Sequence, residues 1–171
     1  QPNDHNPPPK LGTFKRSDFG LPEDKIVFCS FNNIYKYSPE TIELWAKICG
    51  SNKDIVLWLL AVDEITRERI LETFSNYGIN RSQIIFADKV NHEVHTARLE
   101  LADLMLDNWP YNAHTTCSDA LRAGTPVLTK IGKTFGSRVA GGLLTTCGLS
   151  YYIASTNDEY VEKAVNFSKL N

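Results

Sequence analysis

The sequence predicts an α/β fold, namely a Rossmann-like three-layer sandwich built on a mostly parallel sheet of five to six strands. Short apolar runs rich in β-branched residues alternate along the chain with helical patterns of roughly ten or more residues, which is typical of parallel strands joined by crossover helices. One run, residues 54–61, is apolar almost throughout. A central strand that helices cover on both faces has this composition.

The predicted elements follow one another without an internal repeat. Serine at position 38 as N-cap, followed by Pro39 and Glu40, predicts the start of a helix that ends at Gly50. Strands are predicted at residues 25–31, 54–61, 83–87, 103–107, 126–129 and 151–154. The remaining helices are predicted at residues 64–77, 94–101, 116–123, 137–146 and 158–168.

The length and composition suit one folded domain. The chain has 171 residues, of which 42% are apolar and 22% are charged, so it can bury a hydrophobic core. Prolines cluster at the start of the chain, where few apolar residues stand together. We therefore expect residues 1–20 to form a linker or disordered tail and residues 21–171 to form the domain.

Charge and cysteine usage limit the partners. Eighteen basic residues against twenty acidic ones give a formal net charge of −2, which offers no positive field for nucleic acid. Any anionic ligand must therefore be bound locally. No apolar run approaches the roughly 18 residues of a transmembrane helix, so we expect a soluble chain without a membrane partner. Four widely spaced cysteines and no signal-peptide pattern favour a cytoplasmic location.

Ligands of such folds bind outside the carboxyl ends of the strands. The candidate ligand-binding loops are therefore residues 32–37, 88–95, 108–116 and 130–136. The predicted helix after residue 115 offers its N-terminus to a phosphate or diphosphate, since its N–H groups lack partners there. Thr116 with Asp119 alternatively resembles a capping box. An acidic residue in that first turn can also accept hydrogen bonds from ribose hydroxyls.

Two further groups of residues lie in these loops. Lys36 can reach the same helix start and neutralise charge on a departing diphosphate, although a loop lysine can equally be a solvated surface residue. His92 and His95 follow the third strand, with Arg98 on the face of His95. The histidine and arginine can flank a flat heterocycle or be ordinary surface residues. No third metal ligand stands nearby in sequence, so we expect no metal site.

Three segments carry a resemblance to a known family: FNNIYKYSPETIELWAKI (31–48), HTARLELADLMLDNWPYNAHTTCSDALRAGTPVLT (95–129) and FGSRVAGGLL (135–144). Over about residues 17–165 the chain resembles the C-terminal lobe of the catalytic region of O-linked N-acetylglucosamine (O-GlcNAc) transferases. That group includes the Spindly-type protein O-fucosyltransferases and bacterial relatives with tetratricopeptide repeats. The Tyr-Lys loop and the His-Thr-Thr turn before DAL-x-AGTP are its most specific parts.

The resemblance implies a GT-B glycosyltransferase, in which two Rossmann-like lobes bind a nucleotide sugar mainly through the second lobe. It implies that Lys36 is the catalytic residue, which contacts the diphosphate and helps UDP leave. Asn33 stands where animal members carry glutamine, and Cys117 where they carry glycine. The donor-binding residues that the resemblance implies are Asn33, His95, Arg98, His114, Thr115, Thr116 and Asp119.

Each of these residues has an implied place around the donor. Thr115 and Thr116 would hold the phosphates, and His114 would line the donor pocket. Asp119 would bind the ribose hydroxyls. His95 would border the base together with the arginine three residues later. Lysine and a helix dipole can stabilise the leaving group without a metal ion, so no metal cofactor is expected.

The expected function is therefore the UDP-sugar-binding half of a protein O-glycosyltransferase that moves N-acetylglucosamine from UDP-GlcNAc to serine or threonine. Its expected partners are the N-terminal catalytic lobe and tetratricopeptide repeats of the parent chain and the protein acceptors, so the fragment alone should be inactive. Two alternatives stay open. One is a related GT-B transferase that uses GDP-fucose or UDP-glucose. The other is a noncatalytic Rossmann-like interaction module that uses an exposed Trp109-Pro110-Tyr111 loop.

Overall fold

The computed structural model describes residues 9–61 and 63–170. Within these residues, six strands form one sheet in the order β3-β2-β1-β4-β5-β6, and every pair of neighbours is parallel. The predicted α/β class with a parallel sheet is thereby confirmed. The strands are β1 (Ile26–Ser30), β2 (Ile55–Leu60), β3 (Ile84–Ala87), β4 (Leu104–Leu106), β5 (Val127–Lys130) and β6 (Ile153–Ala154).

Helices connect the strands and cover both faces of the sheet. The start predicted at Ser38 is confirmed, because the Ser38 hydroxyl accepts a hydrogen bond of 3.2 Å from the backbone N–H of Thr41. The α-helices are α1 (Pro39–Ser51), α2 (Glu64–Asn76), α3 (His92–Arg98), α4 (Thr115–Arg122), α5 (Val139–Thr146) and α6 (Asn157–Phe167). Short 3-10 helices lie at Arg16–Phe19, Ile34–Lys36, Arg81–Gln83, Leu99–Leu101, Phe135–Ser137 and Ser150–Tyr152.

The sheet separates two apolar cores. Alternate residues of β1 point to opposite faces, so Phe28 packs in one core while Val27 and Cys29 pack in the other. The first core also receives buried side chains of α1, α2 and α6, and the second receives those of α4 and α5. This arrangement is the predicted three-layer sandwich.

The strand order places a crevice above the middle of the sheet. The chain moves outward from β1 to β3 on one side, and from β4 to β6 on the other. Loops that follow β1 and β4 therefore leave in opposite directions. In open parallel sheets this switch point is where ligands bind. The structure thus positions the residues after Ser30 and after Leu106 to form a site.

The folded unit begins earlier than expected, because residues before 21 pack on the domain. The Arg16 guanidinium donates hydrogen bonds of 2.8 Å to the carbonyl of Lys25 and to the carboxylate of Asp103. The ring of Phe19 lies 5.6 Å from that of Trp58. The predicted linker is therefore wrong for this stretch, whereas residues 1–8 lie outside the described residues.

None of the described helices has the length and apolar character that crossing a membrane requires.

Candidate functional site

The candidate site lies at the carboxyl ends of β1 and β4, where two loops meet. Asn108, after β4, donates a hydrogen bond of 2.6 Å from its side-chain amide to the carbonyl of Tyr111 and so shapes its own loop. The same loop is anchored to the start of α1, since the backbone N–H of Trp109 donates to the Thr41 hydroxyl at 2.9 Å. The Ser38 hydroxyl donates to the Trp109 carbonyl at 2.5 Å. Residues 107–113 are thus a fixed platform.

Asp107, a buried residue, holds the two ends of this platform together through hydrogen bonds. One carboxylate oxygen accepts hydrogen bonds from the backbone N–H groups of Asn108, at 2.9 Å, and Ala113, at 2.7 Å. The other oxygen accepts from the Thr129 hydroxyl at 2.7 Å. Burial raises the pKa of Asp107 to about 6, and the three hydrogen bonds oppose that rise. Sequence reasoning missed this residue, although a carboxylate directly after a buried strand was a usable signal.

Lys36, the last residue of the 3-10 helix Ile34–Lys36 after β1, reaches the platform. Its ammonium nitrogen lies 4.3 Å from the centre of the Tyr111 ring and 3.4 Å from the carbonyl oxygen of Asn112. Partial burial lowers the pKa of Lys36, and the nearby charge of Asp107 acts in the opposite direction. The cation therefore sits at the switch point beside the residues that precede α4.

The start of α4 does not form the capping box that was the alternative interpretation of Thr116 and Asp119. His114, and not Thr116, is the N-cap, and its side chain makes no capping hydrogen bond. The Thr116 hydroxyl instead donates a hydrogen bond of 2.7 Å to the side-chain carbonyl of Asn32, after β1. Thr115 is exposed at the first helical position. The first turn therefore retains backbone N–H groups that can bind an anion.

Aromatic rings fix the position of His114. Its imidazole stacks on the Tyr111 ring at 5.0 Å between centres, with 22° between the planes, and meets the Phe135 ring edge-on at 6.1 Å. Among the described residues, the buried Nε2 atom of His114 and the side-chain amide nitrogen of Asn32 have no hydrogen-bond partner. Two unpaired polar atoms thus flank the first turn of α4.

Asp119 lies further along α4 than the first turn in which it was expected. The residue is buried, with 4% of its surface exposed. Burial raises its pKa, and the charges of His92 and Arg122 oppose that rise. Asp119 therefore belongs to the side of α4 that is near α3.

His95 and Arg98 both lie on α3, which begins two residues before the predicted helix 94–101 and so includes His92 as well. Burial, followed by the charges of Arg98 and His92, lowers the pKa of His95 to about 4, so this imidazole is neutral at pH 7. Its ring lies 5.4 Å from that of Phe31. His95 is only partly buried.

Arg98 does not offer an open surface to a base, contrary to the role that the resemblance implies. Its side chain is 1% exposed because the guanidinium lies over the Phe31 ring, at 4.7 Å, and beside that of Trp58, at 5.6 Å. It donates a hydrogen bond of 2.9 Å to the Asp88 carbonyl and lies 3.3 Å from Nδ1 of His95. Arg98 therefore contacts both His95 and the loop after β3 from the interior of the domain.

The remaining predicted residues occupy the edges of the site. Asn33 is exposed and lines a shallow cavity together with Asp63 and Lys89. In the predicted 109–111 loop, Pro110 and Tyr111 are exposed, whereas Trp109 is half-buried with its ring 4.0 Å from the Lys130 ammonium. No group of three or more potential metal ligands occurs among residues 9–61 and 63–170.

Comparisons with known proteins match the chain to one family. The family model for glycosyl transferase family 41 matches residues 4–170. The chain is 39% identical to the probable UDP-N-acetylglucosamine--peptide N-acetylglucosaminyltransferase SEC of Arabidopsis thaliana. This alignment spans 155 residues, or 90% of the chain. The chain is also 39% identical, over 150 residues and 88% of its length, to the UDP-N-acetylglucosamine--peptide N-acetylglucosaminyltransferase of Caenorhabditis elegans.

A solved structure is similar too. A mutant O-GlcNAc transferase of Thermobaculum terrenum superimposes with a TM-score of 0.85 at 28% identity, over 96% of this chain and 31% of that one. The chain spans only 16% and 13% of the Arabidopsis and Caenorhabditis proteins. Since the family model matches almost the whole chain, this chain belongs to glycosyl transferase family 41.

Proposed function

We propose that the chain is the nucleotide-sugar-binding lobe of a protein O-glycosyltransferase, which moves N-acetylglucosamine from UDP-GlcNAc to serine or threonine side chains. The observation that carries the proposal is the position of the Lys36 ammonium next to the residues that precede α4, at the switch point of the sheet. The printed names of the two family members cited above, both peptide N-acetylglucosaminyltransferases, support it.

The proposed chemistry follows from charge. The acceptor hydroxyl forms a bond to the anomeric carbon of the sugar and passes its proton to a base on the acceptor side, outside this chain. At the same time the bond from that carbon to the diphosphate breaks, and its electron pair goes to UDP. Lys36 and the N–H groups at the start of α4 stabilise the negative charge that develops on this leaving group. A fixed cation and a fixed helix end can act without a metal ion, and we propose that none is required.

The donor is proposed to extend from α4 toward α3. Thr115 and Thr116 lie at the helix end where the phosphates would bind. Asp119, on the same helix, would accept hydrogen bonds from the ribose. The neutral, partly buried imidazole of His95 would border the base, with Arg98 acting only through it. His114 would line the sugar side of the pocket, and Asn33 would contact the donor at its edge.

The remainder of the enzyme lies outside this chain in the proposal. A first catalytic lobe would complete the cleft and shape the acceptor side, and tetratricopeptide repeats would recruit protein acceptors. The isolated chain would then bind UDP weakly and transfer no sugar. A cytoplasmic location is consistent with four free cysteines, three of which are buried.

A donor-selection assay on the full-length parent protein tests the proposal. The purified protein is given peptide acceptors and one donor at a time, UDP-GlcNAc, UDP-glucose or GDP-fucose, with and without a chelator of divalent metals. We expect N-acetylglucosamine transfer that the chelator does not change. Transfer from GDP-fucose alone would assign a different donor, and no transfer from any of them would favour the noncatalytic module.

A further inference from the structure

The Tyr111 ring has neighbours on three sides. The ammonium of Lys36 lies 4.3 Å from the ring centre, and the imidazole of His114 stacks on the ring at 5.0 Å. On a third side, a Cβ added to Gly136 would stand only 3.2 Å from a ring carbon of Tyr111. The ring therefore bridges the proposed catalytic lysine and the N-cap of the helix that would hold the phosphates.

The backbone holds this ring in place. The side-chain amide of Asn108 donates to the Tyr111 carbonyl at 2.6 Å, and the N–H of Asn112 donates to the Gly136 carbonyl at 2.9 Å. These bonds join the loop after β4 to the loop after β5. Although Tyr111 is 48% exposed, its backbone is thus tied on both sides.

Lys36 depends on this ring because its other contacts are weak. Within the part of the chain that the structure describes, the ammonium forms no ion pair, and its hydrogen bond to the Asn112 carbonyl is long at 3.4 Å. An aromatic ring face attracts a cation within about 6 Å through the ring quadrupole, and the attraction grows when water is excluded. The Tyr111 ring face, 4.3 Å away, therefore adds a favourable contact for the positive charge beside the long hydrogen bond to the Asn112 carbonyl.

We propose that Tyr111 is a positioning residue: its ring face fixes the Lys36 ammonium and its stacking fixes His114, so that both keep a constant distance from the start of α4. The catalytic part of this inference rests on the proposed function. Because Lys36 would act on charge that develops in the transition state, loss of the ring should lower kcat more than it raises KM for the donor.

Variants of the full-length protein separate ring electrostatics from simple packing. Tyr111→Phe keeps the ring face, so its kcat should stay within about 2-fold of wild type, whereas Tyr111→Leu should lower kcat roughly 3- to 30-fold. Phenylalanine analogues with one, two and three ring fluorines, placed at position 111, keep the shape but weaken the quadrupole. We expect kcat to fall stepwise along this series, with a similar donor KM.

Two results would overturn the inference. If the trifluorinated variant keeps the kcat of Tyr111→Phe, the ring only fills space. A second readout needs neither donor nor activity: in the unliganded protein, the ε-methylene NMR signals of Lys36, assigned by their loss in Lys36→Arg, should be shifted upfield by the ring. If Tyr111→Leu leaves those signals unchanged, the contact does not exist, whether or not the proposed function holds.

Discussion

One carboxylate oxygen of Asp107 accepts a hydrogen bond of 2.7 Å from the backbone N–H of Ala113, six residues further along the chain. The bond closes the loop that carries Tyr111, and the next residue after Ala113 is the N-cap of α4. A single buried carboxylate thereby fixes both the platform under Lys36 and the start of the helix.

Removal of the carboxylate should destabilise the domain strongly. Asp107→Ala leaves two backbone N–H groups and the Thr129 hydroxyl without an acceptor. Each unpaired buried group costs about 1–3 kcal/mol, so we expect the free energy of unfolding of the 171-residue chain to fall by about 3 kcal/mol or more. Urea unfolding measures it. The exposed Asp24→Ala is the matched control, with an expected change within about 0.5 kcal/mol. Equal stability of the two variants would refute the structural role of Asp107.

The pH dependence of stability should contain two opposing contributions. Asp107 has a folded pKa of about 6, above its ordinary 3.8, so the folded state binds the extra proton between these values and stability falls as the pH rises through them. His95 has a folded pKa of about 4, below its ordinary 6.5, so the folded state binds fewer protons and stability rises with pH across that range.

Single variants should expose each contribution. Between pH 4 and 6.5, the free energy of unfolding of Asp107→Asn should rise more steeply with pH than that of wild type. The free energy of unfolding of His95→Asn should decrease with pH relative to wild type. Each difference should reach about 3 kcal/mol at most. Urea midpoints across this pH range provide the measurement. Parallel curves for all three proteins would mean that neither group has a perturbed pKa.

Lys36→Ala in the full-length enzyme should lower kcat by about 100-fold or more, since it removes a preorganised charge from the leaving group. The fold should persist, because the ammonium forms only peripheral contacts. Lys53→Ala is the control, since Lys53 is exposed and precedes the amino end of β2, at the opposite edge of the sheet. Wild-type turnover in Lys36→Ala would remove the lysine from the mechanism.

Thr116→Val should separate the loop after β1 from α4. The hydroxyl is lost at nearly constant side-chain volume, and the Asn32 side-chain carbonyl loses its 2.7 Å partner. We expect a loss of about 1–3 kcal/mol in stability, visible as a lower Tm. Thr146→Val serves for comparison, because the Thr146 hydroxyl is exposed and bonds only to a carbonyl of its own helix, Gly142. An unchanged Tm in Thr116→Val would show that this bond is not needed.

Local patterns were sufficient to predict the six strands and the six α-helices, but not the short 3-10 helices. Apolar periodicity located the six strands, and the Ser38 N-cap located α1, because these signals depend on neighbours in sequence. The burial of Arg98 could not be predicted from local patterns, since Phe31 and Trp58 come from two distant strand regions. A tertiary contact likewise took the Thr116 hydroxyl away from capping, because its partner Asn32 lies 84 residues earlier.

Residue-resolved NMR of the 171-residue chain, titrated with UDP, GDP and UMP in the absence of divalent metal, tests most directly whether this lobe binds the proposed donor. We expect UDP to shift signals of residues 32–37, 95–98 and 114–119. GDP should have less effect near His95, and UMP less near Lys36, since it lacks the second phosphate. Equal shifts from all three nucleotides, or no shifts in these segments at saturating UDP, would contradict the proposed donor site.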